Sequence, residues 1–310
     1  NGALNYNMNW YYGPAKYEIL NDYERNLDEI MPLGWGIFGW INRYIFIPVF
    51  GFISALGVGY GIAIVLFTIL VRIVMSPVTY KSYLSQAKMK VLRPEITELN
   101  EKFKDNPMKK QQETMKLYSK AGVNPMAGCL PALMQMPIFY ALFQFFPSMF
   151  DLRQKSFLWA DDLSSYDSIY QLPFHIPFYG SHVSLFPILA SIAIFFYMKM
   201  TTGDQAMSTP PQEGMPDMGK IMKIMIYISP VMMLFFFNNY ASGLSLYYFI
   251  SNLITIGIML VIKNYIVDEA KIHAKIQDNK TKEKKESKFQ RKMREMMEQA
   301  EAQKAAQKKK

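Results

Sequence analysis

GFISALGVGYGIAIVLFTILVRIVM, residues Gly51–Met75, is the stretch whose reading decides the fold. A helical membrane span needs roughly 20 apolar residues, and this run exceeds that. Its one charge, Arg72, sits inside its last turn. An ionisable group at such a depth costs about 3 kcal/mol on insertion scales. It persists only by snorkelling, by finding a partner or by facing water inside the membrane. The last option would make it a functional group.

Working outward, four more apolar blocks follow: Cys129–Phe150, Val183–Met198, Ile224–Phe237 and Leu244–Ile262. Val183–Met198 and Ile224–Phe237 are short. They reach spanning length by recruiting Met200 on one side and Ile221 with a snorkelling Lys223 on the other. One short block suits a soluble core helix, but five in series define an all-α polytopic membrane protein. The expected spans are 51–75, 129–150, 183–200, 221–237 and 244–263.

Orientation follows from the basic residues between the blocks. The segments before the first block, between the second and third, and between the fourth and fifth carry three, two and no Lys or Arg. The alternate segments carry ten, three and fifteen, and Arg72 completes the 34. The N-terminus is therefore expected outside and the C-terminus in the cytoplasm. An N-out chain that starts at Asn1 without an initiator Met leads us to expect an upstream segment. The single Cys129 opens a span and reads as a small packing residue, since no intrachain disulfide is open to it.

Asn5–Gly13, NYNMNWYYG, is short and aromatic and reads as the last strand of a domain upstream, occupying 1–14. Within 15–50, Trp35, Phe38, Ile41 and Ile45 recur at helical spacing, which suits a helix lying in the outer interface. Residues 76–128 are polar, with Leu92, Ile96, Leu99 and Phe103 forming a narrow helical stripe. At Asp105-Asn106-Pro107, Asn106 can cap and Pro107 can start a second helix, which Gly122 would end. The expected unit is a cytoplasmic helical hairpin, Ser82–Ala121, mobile rather than packed, with hinges at Pro94 and Pro107. Residues 151–182 form an external loop, 201–220 a flexible cytoplasmic loop, and Asn238–Gly243 a tight turn. The tail, 264–310, is basic, and Lys271–Lys310 alone has 14 basic and 6 acidic residues. Such a segment buries too little to fold alone, although Phe289–Gln303 can become helical on contact.

No catalytic constellation emerges. There is no HExxH, GxSxG or phosphate loop, His175 and His182 lie in the external loop, and Asp161-Asp162 reads as a cap or solvated turn. No enzyme, cofactor or metal is expected. The polar groups within the spans remain: Thr68, four residues before Arg72 and on its face, with Gln135, Gln144, Ser251 and Asn252. Any one of them can simply bond a neighbouring helix. No Asp or Glu lies within the five blocks, however, so Arg72 lacks an intramembrane carboxylate. That combination implies a hydrated, positively charged concavity. A small-solute channel or transporter with an arginine anion site is one reading of it, although five spans are few and inverted repeats are not evident.

Several motifs settle the other reading. Arg72-x-x-Met75-x-Pro77, Ala87-Lys88-Met89, Val123-Asn124-Pro125, Gly128-Cys129, Gln135-Met136-Pro137-Ile138-Phe139, Leu158-Trp159-x-x-Asp162-Leu163, Ser242-Gly243-Leu244 and Leu246-Tyr247-Tyr248 occur in this order. From about Gly13 to Lys263 the chain resembles the bacterial YidC-type membrane protein insertases. The resemblance implies five core helices around a hydrophilic groove open to the cytoplasm and to lipid, in the bacterial inner membrane, with the N-terminal segment periplasmic. Arg72 matches the groove arginine, and Tyr247 and Tyr248 match an aromatic pair along which substrates slide. Met198 stands before Lys199 where many relatives carry Gln. Nascent membrane proteins and membrane lipids are the implied partners, with the Sec translocon beside them. The basic tail and hairpin suit a ribosome.

Overall fold

The computed structural model describes residues 8–104, 107–128, 130–206 and 218–281. Their helices are α1 (Tyr17–Asp22), α2 (Gly36–Ala55), α3 (Tyr60–Val91), α4 (Arg93–Lys102), α5 (Pro107–Ala121), α6 (Leu130–Ser148), α7 (Leu185–Ala206), α8 (Met218–Asn238), α9 (Ser242–Ile266) and α10 (Glu269–Thr281). By length and composition α2, α3, α9 and Lys220–Asn238 of α8 are apolar and long enough to cross a membrane, and Leu185–Thr201 of α7 is a shorter apolar helix.

The block Gly51–Met75 is not one helix. Gly51–Ala55 closes α2, Gly57 turns the chain at φ +74°, and α3 starts at Tyr60. Apolar residues flank the break on both sides, so hydropathy runs across it while glycine bends the backbone. The segment read as an interfacial helix is thus part of α2, which has spanning length of its own. It includes a π turn at Asn42–Phe46. The expected strand at Asn5–Gly13 is not formed over residues 8–13, and residues 1–7 lie outside the described residues. So do Cys129, Asn106 and most of the loop 201–220, of which Thr201–Ala206 instead continue α7.

Pro77 lies inside α3. It has no N–H to give the carbonyl of Ile73, and the hydroxyl of Ser76 donates to that carbonyl at 2.8 Å instead.

The chain forms two compact units. The first comprises Asn1–Thr68, Gln135–Ala190 and Met233–Ile250. Its centre is aromatic: Phe46, Phe50, Phe67, Phe145, Phe146 and Tyr247, with ring centroids 5.3–6.3 Å apart. Fully buried Asn42 donates through Nδ2 to the carbonyls of Leu33 and Ala141, joining α2 to α6. Gly61 is obligatory for close approach, since a Cβ there would lie 2.0 Å from Phe157 Cδ2.

The loop after α6 contains a feature that the sequence reading left irregular. Strands β1 (Tyr170–Ile176) and β2 (Gly180–Val183) pair antiparallel, with Tyr170 opposite Val183 and a bulge between Gln171 and Ile176. Two buried side chains anchor this loop. Asp167 Oδ2 accepts from Trp159 Nε1 and from the amides of Leu185 and Phe186, closing the start of α7. Burial pushes its carboxyl above the ordinary range, against the pull of those donors. Asn238 donates through Nδ2 to Tyr179 and His182 carbonyls and accepts from the Ser184 amide.

The second unit comprises Ile69–Met134, Ser191–Met232 and Ser251–Lys310. Here α4 and α5 are consecutive helices in contact with each other. Pro94 falls in the first turn of α4, where its missing N–H costs nothing. At the end of α5, Gly122 (φ +66°) gives its amide to Ser119, and Val123 gives its own to Tyr118, a Schellman motif. These helices also have a packing partner in α10. Ile272 and Ile276 of α10, 7% and 1% exposed, pack with Met89, Leu92, Ile96, Ala121 and Val123. Lys280 Nζ lies 2.5 and 2.7 Å from the two Glu95 oxygens, and Asn279 donates to the Ala121 carbonyl. The tail reading is corrected accordingly: Glu269–Thr281 folds because the hairpin supplies the apolar surface that the tail lacks.

Ile276→Asp buries an unpaired charge in this cluster. We expect hydrogen exchange in α4 and α5 to rise by about tenfold or more, equivalent to ~1.4 kcal/mol, while the apolar helices keep their protection. Lys280→Glu should do the same more weakly and be rescued by Glu95→Lys. Unchanged exchange in both variants would mean that the hairpin is stable without α10.

Candidate functional site

Arg72 lies twelve residues into α3, half-buried in the second unit. Its Nε donates to Ser251 Oγ of α9 at 2.5 Å, a contact across 179 positions of sequence. Ser251 is fully buried, and its carbonyl accepts from Thr255 Oγ1 at 2.7 Å. Asn252 is 7% exposed beside it in sequence. Among the described residues no carboxylate contacts Arg72 and its two terminal amines find no acceptor. A guanidinium has five N–H donors, so most of its capacity remains for water or for an incoming acceptor.

The other residues singled out from sequence have different surroundings. Thr68 is fully buried, and its hydroxyl donates to Ile64 of its own helix at 2.6 Å, so it is satisfied locally. Gln135, in the first unit, has a buried Nε2 that finds no acceptor among the described residues. Gln144, also in that unit, has its Cγ 3.7 Å from where a Cβ added at Gly34 would lie. Tyr247 and Tyr248 are 0% and 5% exposed. Tyr247 packs on Phe67 and Phe146, and Tyr248 on Phe139 and Phe237, with the two tyrosine rings 5.3 Å apart and nearly perpendicular. Both rings are thus part of a packed aromatic wall in this structure. Asp162 accepts from the amide and hydroxyl of Ser164, as the turn reading expects.

Two polar positions escaped the sequence reading. Thr255 lies one turn from Ser251 on α9, a spacing legible in the sequence. Ser191 of α7 is 8% exposed, with its hydroxyl unpartnered among the described residues. Among those residues no three His, Cys, Asp or Glu side chains converge as a metal requires.

Long apolar helices that carry a partly satisfied guanidinium define a polytopic helical membrane protein. Residues 51–270 match the family described as 60Kd inner membrane protein, and the chain belongs to that family. It is 47% identical over 290 residues to the membrane protein insertase YidC of Parabacteroides distasonis, covering 89% of this chain and 44% of that protein. The proteins of the same name from Amoebophilus asiaticus and Bacteroides fragilis are 44% and 45% identical, over 273 and 281 residues. Each of those alignments covers 88% of this chain and 44% of the relative. The chain thus spans less than half the length of these curated relatives. Family and helices together place it in the inner membrane as a multi-pass protein.

Tyr248→Ala tests the packing role of this ring. A packed ring should cost on the order of 3 kcal/mol on truncation and lower the melting temperature in detergent. An unchanged melting temperature would mean that the ring adds nothing to the packed wall.

Proposed function

We propose that this chain is a membrane protein insertase and chaperone. The observation that carries the reading is Arg72, held to Ser251 through Nε alone among the described residues, within apolar helices of this family. A hydrophobic nascent segment with a short polar flank enters a hydrated groove in which Arg72, Ser251 and Asn252 lower the cost of bringing the flank into the membrane. Gln135 has donor capacity for the same task. Gln144 and Thr68 support the surrounding helices. The segment then leaves sideways into lipid past the wall that carries Tyr247 and Tyr248. No nucleotide is hydrolysed. Transfer of apolar surface out of water drives the step, at about 25 cal/mol per Å².

In this reading the N-terminal segment is periplasmic and the C-terminus cytoplasmic, following the distribution of Lys and Arg. The clients are nascent membrane proteins, received alone or beside the Sec translocon. The hairpin α4–α5 and the basic residues after Thr281 hold the ribosome over the groove. Phosphate neutralisation makes such a tether steeply and log-linearly dependent on salt.

Arg72→Lys should retain much of the insertion activity in proteoliposomes. Arg72→Ala should lose about tenfold or more for clients with acidic translocated flanks and less for neutral ones, the difference expected of ~1.4 kcal/mol of charge interaction. Equal losses for both flanks would show that the guanidinium does not act through charge. For the tether, ribosome co-sedimentation across a salt series should weaken and flatten in slope when residues 282–310 are removed. An unchanged slope assigns the tail to lipid or topology.

A further inference from the structure

The β1–β2 hairpin belongs neither to the aromatic core nor to the polar site. From Ser168 to Val183 the sequence contains no Asp, Glu, Lys or Arg. It does contain large apolar side chains that the fold leaves uncovered: Tyr170, Phe174 and Phe178 are 62%, 59% and 91% exposed. A soluble loop of this length has no reason to present three rings without a charge among them.

The turn is built to hold its most exposed ring outward. Phe178 has φ +66°, a left-handed conformation that bulky residues rarely adopt. Two consecutive asparagines impose it. Asn239 Nδ2 donates to the carbonyls of Phe178 and Tyr179 at 3.3 and 2.9 Å, and Asn238 Nδ2 donates to Tyr179 and His182 at 2.8 and 2.9 Å. Gly180 follows at φ +108°, where a Cβ would lie 2.8 Å from Asn239 Oδ1. Strain that several contacts over-determine marks a conformation kept for use.

Those asparagines also fix where the tip stands. Asn238 is the last residue of α8, so Phe178 and Tyr179 are bonded to the end of an apolar helix of spanning length. The apolar surface is continuous across the joint. The Tyr179 ring meets Phe235 at 5.3 Å, and Phe235 and Phe236 are 37% and 40% exposed on α8.

We propose that this hairpin is a monotopic membrane anchor, with Phe178, Phe174 and Tyr170 inserted among the headgroups and upper acyl chains of the leaflet at the Asn238 end of α8. A lipid surface fits better than a protein partner. The patch carries no charge to set a register, and Pro173 and Pro177 interrupt the edge that an added strand would extend. Its composition is that of an interfacial aromatic belt, and it continues a surface that already faces lipid. The anchor sets the depth and tilt of α8 and α9, the helices on either side of the asparagine turn.

The proposal rests on α8 crossing the membrane, and the experiment tests the two separately. Nitroxide labels are placed at Phe178→Cys and, independently, Phe174→Cys in a Cys129→Ser background. The full chain is reconstituted in phosphatidylethanolamine and phosphatidylglycerol vesicles. Collision with oxygen and with a water-soluble nickel chelate is measured, with Val231→Cys on α8 and Ser156→Cys in the external loop as references. Labels at 178 and 174 should collide with oxygen as Val231 does, and chelate collision should be about fivefold below that at Ser156, as for groups buried just beneath the headgroups. Chelate access equal to Ser156 at both sites, with Val231 still lipid-facing, would place the hairpin in water and overturn the anchor alone. Shielding from both reagents would place it under another protein and overturn it as well. Free chelate access at Val231 would remove the spanning reading, and the anchor with it.

Discussion

Hydrocarbon offers no hydrogen bonds, so each polar group within it has to be satisfied by the chain or by water held there. The structure sorts its polar side chains by that constraint. Thr68, Thr201 and Thr255 return their hydroxyls to carbonyls four residues back. Asn42 spends its amide on two carbonyls of neighbouring segments, and Asn238 ties a loop to a helix end. These groups hold the fold and ask nothing of a ligand. The terminal amines of Arg72, Nε2 of Gln135 and the hydroxyl of Ser191 are different, because no described residue accepts from or donates to them. They are the groups that keep hydrogen-bonding capacity for water or another polar group. The division between architectural and functional polarity is therefore a matter of completed hydrogen bonds, not of residue type.

Much of the fold was legible because its strongest signals are local. The Pro107 start of α5, the Gly122 end of it and the turn after Asn238 were all readable from a few adjacent residues. The misreadings arose where local signals conflicted or where distant residues decide. Hydropathy cannot register a bend between two apolar helices, so Gly57 was submerged in the block around it. Ile272 and Ile276 are too few to fold a basic segment, and the surface of Met89, Leu92, Ile96, Ala121 and Val123 makes them a core. The β1–β2 hairpin depends on Asn238 and Asn239, more than 50 residues downstream of its strands, and no strand periodicity survives its two prolines.

The site was legible in kind more than in geometry. An arginine without an intramembrane carboxylate announces itself in the sequence, but its pairing with Ser251 does not. Thr68 shares the face of Arg72 by spacing, yet a threonine in a helix has its own carbonyl within reach and takes it. The tyrosine pair shows the opposite limit. Helical position places two rings on adjacent faces, while their burial follows from Phe67, Phe139, Phe146 and Phe237, which arrive from other helices.

Ser76 and Pro77 carry a historical implication. The hydroxyl of one answers the carbonyl that the other leaves open, so neither residue has a fixed value of its own. Losing Ser76 first leaves that carbonyl without its side-chain donor. Losing Pro77 first restores the amide and makes the serine dispensable. Drift away from this pair is thus passable in one order and obstructed in the other.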